Sequence, residues 1–187
     1  MSPILSASPG PPVILTVGHS NRSLADVIAR LQAHGVTQLV DVRTVPRSRH
    51  HPLFNQDTLP AALQAIGIGS VHQPGLGGFR YPRPDSQNKG WRHTRFRGFA
   101  DSMETPAFTV ALDTRLQQAE SHRVALMCAE AVPWHCHRSL SADALSVRGI
   151  AVEHRLSATQ RHAHRLTPWA RVDGTRLSYP PPTTRAE

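Results

Sequence analysis

The chain has 187 residues, enough for one domain with a sizeable core, and 21 Lys and Arg against 13 Asp and Glu give it a formal net charge of +8. Its 12 glycines and 2 cysteines exclude a collagenous or disulfide-stapled protein, and no apolar run approaches the ~20 residues of a membrane-spanning helix. Lys89 is the single lysine, so nearly all the basic charge is arginine, whose planar guanidinium matches phosphate and carboxylate oxygens. Because a bias in the coding DNA produces the same ratio, composition permits an anionic partner without establishing one.

The first predicted element is a β-strand over residues 13–18, a β-branched run that ends at a glycine. Ser23 then begins a helix as its N-cap, because Asp26 stands three residues later and apolar residues follow at helical spacing. We expect this helix to end at Gly35, since a glycine just beyond a helix adopts the left-handed conformation. The next predicted strand covers residues 36–42.

The same junction of helix, glycine, aliphatic residue and strand recurs at Gly67 and Gly149, and predicts strands at 70–72 and 151–153. Between them, a helix from Thr105 to about Glu120 precedes a strand at 124–128. Strands that alternate with helices favour an α/β fold. We therefore predict three layers, a mostly parallel, Rossmann-like sheet with helices on both faces, within a single domain over residues 13–177.

Both ends of the chain are predicted to be tails. Residues 1–12 are interpreted as a disordered N-terminal tail, and residues 178–187 as a proline-rich C-terminal tail, because proline lacks the amide donor that strands and helices use. Residues 1–12 also lack the charged and apolar regions of a secretory signal. With two cysteines and no anchor motif, we expect a cytoplasmic protein with no membrane partner.

Two predicted connections, residues 43–55 and 74–97, are longer than simple turns. The first is rich in Arg and His, and the second interleaves Arg with Phe, Tyr and Trp. Long loops in compact domains are usually functional or disordered, and cations among aromatic rings suit phosphate contact with base stacking. The alternative is that arginine stems and rings cover the sheet edge.

Polar side chains follow the predicted strands at the edge where parallel sheets bind ligands. Residues 19–22 follow the first strand, residues 41–43 end the second, residues 128–130 end the strand at 124–128, and residues 136–139 open the next helix. We expect these four segments to form one pocket. The candidate catalytic residues in it are His19, Asp41, Cys128, Glu130, Cys136 and His137. The candidate anion-binding residues are Ser20, Asn21, Arg22, Arg43, Arg47, Arg138 and Ser139.

Chemical roles follow from residue type. His19 or Glu130 suits acid–base catalysis, and Cys136 suits a nucleophile because a helix N-terminus lowers a thiol pKa; Cys128 is the other candidate. Arg43 and Arg138, supported by Arg22, are expected to hold an anion. Two alternatives stay open: Asp41 and Arg43 form an internal ion pair, and Cys128 is an inert core residue.

We predict no cofactor and no metal. Cys128, His135, Cys136 and His137 are zinc-ligand types, but their spacing matches no paired zinc knuckle. The sequence has no Cys-x-x-Cys pair, dinucleotide-binding fingerprint or P-loop. A phosphatase loop needs an arginine six residues after its cysteine, and Trp134 holds that place after Cys128.

Five motifs together resemble one known family: residues 16–20 (TVGHS), 40–43 (VDVR), 96–101 (FRGFAD), 126–130 (LMCAE) and 136–139 (CHRS). They are similar to the bacterial and archaeal "domain of unknown function" family numbered 488, over residues 14 to 171. The resemblance implies a compact cytosolic α/β domain whose motif residues form one pocket. It brings no activity or substrate with it, and this chain has Ser102 where a tyrosine is more familiar.

Taken together, the sequence predicts an enzyme, a hydrolase or transferase, acting on a phosphate-bearing nucleoside, nucleotide or nucleic acid. The first alternative is a non-catalytic nucleic-acid-binding module that uses the arginine loops. The second is a thiol-redox or metal-sensing protein that uses Cys128 and Cys136. Oligomeric state is left open.

Overall fold

The computed structural model describes residues 12–182. Its regular elements in chain order are β1 (Val13–Gly18), α1 (Leu24–Ala33), β2 (Gln38–Asp41), α2 (Leu59–Gln64), β3 (Gly69–His72), α3 (Thr94–Ser102), α4 (Pro106–Ala119), β4 (Val124–Cys128), α5 (Arg138–Ser146), β5 (Ala151–Arg155), β6 (Arg161–Ala163), β7 (Arg171–Asp173) and β8 (Arg176–Ser178). The N-terminal tail predicted for residues 1–12 lies, except for Pro12, outside the described residues. No helix between residues 12 and 182 has the length and apolar character needed to cross a membrane.

Six strands form one sheet in the order β3-β2-β4-β1-β5-β6, and β7 and β8 form a separate hairpin. All neighbours in the large sheet are parallel except β6, which pairs antiparallel with β5. The predicted, mostly parallel sheet is therefore confirmed. Because β4 lies between β2 and β1, the carboxyl ends of these three strands are adjacent: Asp41 pairs with Met127, and Gly18 with Cys128.

Helices cover both faces of the sheet, as predicted. On one face, Val27, Leu31 and Leu63 of α1 and α2 pack against strand residues such as Leu15 and Leu39. On the other face, α3, α4 and α5 pack against alternate residues of the same strands through side chains that include Phe99, Leu112 and Leu140. Strands buried on both faces are typical of parallel sheets, and this explains their nearly continuous aliphatic sequences.

The predicted helix starts and stops are also confirmed. The Ser23 hydroxyl accepts a hydrogen bond from the Asp26 amide at 3.1 Å, and that of Thr105 accepts one from the Phe108 amide at 3.3 Å. The glycines at the three helix–strand junctions have φ between 64° and 79°, the left-handed region that favours glycine. Local signals therefore fix where the elements on either side of the sheet begin and end.

One helix lies where the sequence predicts a loop. Residues 94–102 form α3, which overlaps the end of the predicted 74–97 connection. Gly98 and residues of low helix propensity such as Phe96 and Asp101 give this segment a weak helical preference, but burial of Phe99 and Ala100 in the core stabilises it. Gly98 is required by packing, since a Cβ atom there would lie 2.5 Å from the Arg80 carbonyl oxygen.

The folded domain also extends past residue 177, where the sequence predicts a tail. Ser178 belongs to β8, and Tyr179 is completely buried. The Tyr179 amide donates to Asn88 Oδ1 at 2.8 Å, and the Gly90 amide donates to the Tyr179 carbonyl at 2.8 Å. These contacts hold the loop that carries Trp91, whose ring lies 5.6 Å from the Tyr179 ring.

A buried chain of hydrogen bonds joins Tyr179 to the sheet. The Tyr179 hydroxyl donates to Asp143 Oδ2 at 2.9 Å, and His164 Nε2 donates to Asp143 Oδ1 at 2.7 Å. His154 Nε2 lies 3.0 Å from His164 Nδ1, and His154 Nδ1 lies 2.7 Å from the Thr16 hydroxyl oxygen, each within hydrogen-bond distance. The chain connects β1, β5, α5 and the C-terminal segment.

Candidate functional site

A cavity of about 940 Å³ opens at the carboxyl edge of the parallel strands, within the size range of small-molecule sites. The loops that follow β1, β2 and β4 contribute to its lining, together with the two long connections. The predicted site residues that line it are His19, Arg43, Arg47, Cys128, Glu130, Cys136 and His137. The structure therefore brings more than half of the candidate residues to one cavity.

The other candidates lie beside or behind the cavity wall. Ser20, Asn21 and Arg22 form the turn after β1, where Ser20 has φ 48° and Arg22 Nη1 donates to the Gly18 carbonyl at 2.9 Å. Asp41, Arg138 and Ser139 are buried, and the Ser139 hydroxyl donates to the Cys136 carbonyl. None of these six side chains lines the cavity.

Asp41 and Arg43 form the internal ion pair that the sequence leaves open as an alternative. Arg43 Nε donates to Asp41 Oδ1 at 2.9 Å, and Nη2 donates to Oδ2 at 2.6 Å. Both side chains are at most 10% exposed. The same Nη2 donates to the Phe54 carbonyl, so the guanidinium is held rigidly at the end of β2.

His19 also holds Arg43. The pKa of His19 is lowered to about 4, mainly by burial. A hydrogen bond to Ser20 opposes this shift, and the charge of Arg43 adds to it. The imidazole is therefore neutral at pH 7. Its Nδ1 donates to the Ser20 carbonyl at 2.9 Å, and its Nε2 accepts from Arg43 Nη1 at 3.3 Å. The His19 lone pair is therefore already engaged. Within residues 12–182, these contacts use four of the five Arg43 N–H groups, which leaves one on Nη1 for a ligand.

The two cysteines meet at the floor of the cavity. Cys128 ends β4, and Cys136 follows a 3₁₀ turn (Pro133–His135) just before α5. Both sulfur atoms and a ring nitrogen of His137 lie within 4.8 Å of one another. The Cys136 sulfur accepts from the Arg138 amide at 3.5 Å and from Arg138 Nε at 3.3 Å, and His137 Nδ1 lies 3.7 Å away.

This surrounding makes Cys136 the ionised thiol of the pair. Burial by itself raises the pKa of Cys136, but hydrogen bonds from Cys128 and His137 and the positive charge of Arg138 outweigh it, and the pKa is well below its ordinary value. The hydrogen bond to Cys136 and burial raise the pKa of Cys128. These surroundings therefore favour the thiolate form at Cys136 and the protonated thiol at Cys128.

Arg138 serves this thiolate and does not face the cavity. It is 1% exposed, its Nε donates to Cys136, and its Nη2 donates to the Glu130 carbonyl. Arg138, which the sequence predicts to bind an external anion, is instead hydrogen-bonded to the Cys136 sulfur inside the protein. A cationic guanidinium 3.3 Å from the Cys136 sulfur also disfavours a metal ion on the Cys128, Cys136 and His137 cluster, because the two positive charges repel.

Three further residues shape the site without having been predicted to do so. Gly18 is required at the end of β1, because a Cβ atom there would lie 1.8 Å from the Glu130 carbonyl oxygen and 2.9 Å from Arg138 Nη2. Gly78 is required against His137, whose Nδ1 would lie 2.4 Å from a Cβ atom. The Phe54 ring stacks on His19 at 4.3 Å. In the sequence, the isolated glycines are the signal that could have indicated these contacts, since an isolated glycine often marks a place where another group comes close to the backbone.

The cavity walls combine aromatic rings with cations. The Trp91 and Phe96 rings pack against each other with their centroids 5.0 Å apart and their planes tilted by 32°, and Arg95 lies 4.7 Å over the Phe79 ring. Arg47, Arg95 and Trp134 line the cavity and are exposed. Glu130 is the one carboxylate residue among the described lining residues. The walls are therefore suited to a ligand with a planar ring and negative charge.

Comparison with known proteins is consistent with the sequence resemblance. The model of the family described as "Domain of unknown function DUF488" matches residues 23–145, which is more than half of the chain and includes the second, third and fourth of the polar segments at the sheet edge. Neither a curated protein nor a solved structure matches the chain. The motifs and the family match together show that this chain belongs to the DUF488 family.

Proposed function

We propose that this protein is an enzyme that uses the Cys136 thiolate as a nucleophile on a phosphate-bearing nucleoside or nucleotide. The observation that carries the proposal is the position of Cys136 on the cavity floor, with hydrogen bonds from Arg138 to its sulfur. A thiolate is the reactive form of cysteine, and it costs free energy to bury. An inert core cysteine does not need such donors.

The walls support the choice of substrate. A nucleobase fits against aromatic side chains such as Trp91 and Phe96, which lie on one connection. The free N–H of Arg43 and the exposed guanidinium of Arg47 lie on the other connection and suit phosphate oxygens. The substrate would then span from the aromatic wall to the cations, with its reacting atom over Cys136.

The chemistry follows from the thiolate and thiol pair. The Cys136 sulfur attacks an electrophilic carbon of the substrate, a sulfur–carbon bond forms, and the bond to the leaving group breaks. The leaving group takes the proton of the Cys128 thiol. Water or a second substrate then attacks the same carbon, the sulfur–carbon bond breaks, and the proton released returns to Cys128. Glu130, exposed at the cavity, is placed to orient the attacking water.

The experiment is a protection assay on the full chain. Cys136 alkylation by iodoacetamide is followed by peptide mass spectrometry in the presence of each common ribonucleoside and deoxyribonucleoside monophosphate. We expect one base class to slow the alkylation of wild-type Cys136 about tenfold at a concentration ten times its dissociation constant. Arg47→Gln should weaken this protection. Equal alkylation rates with every nucleotide and without any would contradict the proposal.

The closeness of the two sulfur atoms favours a thiol-redox protein as the second candidate. In that reaction Cys128 and Cys136 would form a disulfide, and two electrons and the one proton of the thiol–thiolate pair would pass to an oxidised partner such as another disulfide, which leaves as one thiol and one thiolate. The same mass spectra separate the two functions. If incubation with a small disulfide lowers the mass of the protein by two units and leaves no adduct, the redox candidate is supported.

A further inference from the structure

We propose that the substrate is a single strand of nucleic acid, with the reacting nucleotide in the cavity and its neighbours on the rim. The rim consists of Arg47, Phe79, Arg95 and Trp134, which are the exposed arginine, phenylalanine and tryptophan side chains at the cavity. This inference rests on the proposed function, because it concerns the same cavity. The substrate is then a nucleotide within a polymer and not a free nucleotide.

The aromatic side chains of the rim are the first argument. Phe79 is 57% exposed and Trp134 is 55% exposed, and Tyr81, two residues beyond Phe79, is 93% exposed. Rings buried in a cavity wall are explained by one bound base, but rings that stay exposed to water at the mouth of the cavity are not. Base–aromatic stacking is how proteins bind successive bases of a single strand without reading their sequence.

The distribution of charge is the second argument. Arg47 and Arg49 on one connection, and Arg92 and Arg95 on the other, are exposed and form no ion pair within the described part of the chain. One nucleoside monophosphate needs one or two of these cations. A strand carries a phosphate at every nucleotide, so it would use cations on both connections.

The depth of Cys136 is the third argument, and it selects a single strand over a duplex. The residue is 2% exposed, at the floor of the cavity, so its sulfur reaches only a nucleotide that enters the cavity. Enzymes that react with a base must take it out of the duplex stack or act on a strand that is already single. Exposed rings also stack only on bases whose faces are free.

Fluorescence anisotropy of the full-length protein with a labelled twelve-nucleotide single strand, as DNA and as RNA, tests the inference. We expect at least one of these strands to bind about tenfold or more tightly than the duplex of the same sequence. Replacing Phe79 and Trp134 together by alanine should weaken binding by tenfold or more, as expected for the loss of stacking. Replacing Arg47 and Arg95 together by glutamine should reduce the slope of log affinity against log salt by about 1.4.

Arg123→Gln is the matched control, because Arg123 is exposed at the amino end of β4, away from the cavity, and should leave the salt slope almost unchanged. Unchanged thermal midpoints show that the variants are folded. Equal affinity for strand and duplex, or unchanged affinity in the Phe79 and Trp134 variant, would overturn the inference. Protection of Cys136 by a mononucleotide but by neither oligonucleotide would also overturn it, while leaving the proposed function intact.

Discussion

Replacement of Asp41 by asparagine is expected to lower the free energy of unfolding by about 3–5 kcal/mol, the usual cost of removing one partner of a buried ion pair. Arg43 is 7% exposed, and Asp41 accepts hydrogen bonds from its Nε and Nη2. Without the carboxylate, the buried guanidinium keeps only neutral partners, which are one amide oxygen at position 41, the Phe54 carbonyl and His19. Urea denaturation at pH 7 measures the change.

Two further variants make this result specific to the pair. Asp113→Asn changes an exposed carboxylate on α4 and should alter stability by less than about 0.5 kcal/mol. The double replacement Asp41→Leu with Arg43→Met should recover much of the loss, because two apolar side chains leave no buried charge. If Asp41→Asn costs no more than Asp113→Asn, the pair does not stabilise the edge of the sheet.

Acid is expected to destabilise the protein between pH 6.5 and about 4, before most carboxylates are protonated. Burial lowers the pKa of His19 to about 4, and burial with the neighbouring His164 lowers that of His154 to about 3. Below pH 6.5 the unfolded chain binds a proton at each of these two histidines, while the folded chain does not. The stability that is present above pH 6.5 is therefore lost as the pH falls. Each histidine contributes a slope of about 1.4 kcal/mol per pH unit in this range.

Urea denaturation at half-unit steps from pH 7 to pH 5 measures that slope. His154→Gln removes one of the two groups and should make the slope shallower, whatever its effect on stability at pH 7. His50→Gln is the control, because His50 is exposed, and its slope should equal that of the wild type. A His154→Gln variant with the wild-type slope would contradict the assignment of a neutral, buried His154.

The fold was predictable because its signals are local. Caps such as Ser23 and Thr105 and the glycine junctions mark helix ends within a few residues, and long aliphatic runs mark strands buried on both faces. The α3 helix was not predictable in this way. Its sequence favours a loop, and only the burial of Phe99 against the sheet makes it helical.

The location of the candidate site was predictable for a geometric reason. Carboxyl ends of parallel strands lie along one edge of the sheet in any strand order, which the sequence predicts. The order β2-β4-β1, which the sequence does not predict, makes the residues that follow these three strands neighbours. The sequence did not assign the partners of the arginines. Arg138 was expected to bind an external anion, but the structure places it on the Cys136 sulfur, and only atomic distances distinguish these arrangements.

Contacts between distant segments were beyond any sequence pattern. Thr16 and His154 are 138 positions apart, and Asp143 and Tyr179 are 36 apart, yet they belong to one buried chain of hydrogen bonds. The proline-rich sequence after Tyr179 predicts a tail, and nothing local indicates that the tyrosine is held by Asp143. Burial and Asp143 raise the pKa of Tyr179, so its hydroxyl keeps the proton that it donates.

Ultraviolet absorbance of the thiolate tests directly whether Cys136 is ionised at neutral pH. The difference between wild type and Cys136→Ser, followed from pH 4 to pH 10, isolates this one group even though it is buried. We predict a midpoint well below the ordinary thiol value of about 8.5, and a higher midpoint in Cys128→Ala, which removes the thiol group next to Cys136. A wild-type midpoint at or above about 8.5 would contradict the account, because Cys136 would then be an ordinary buried thiol.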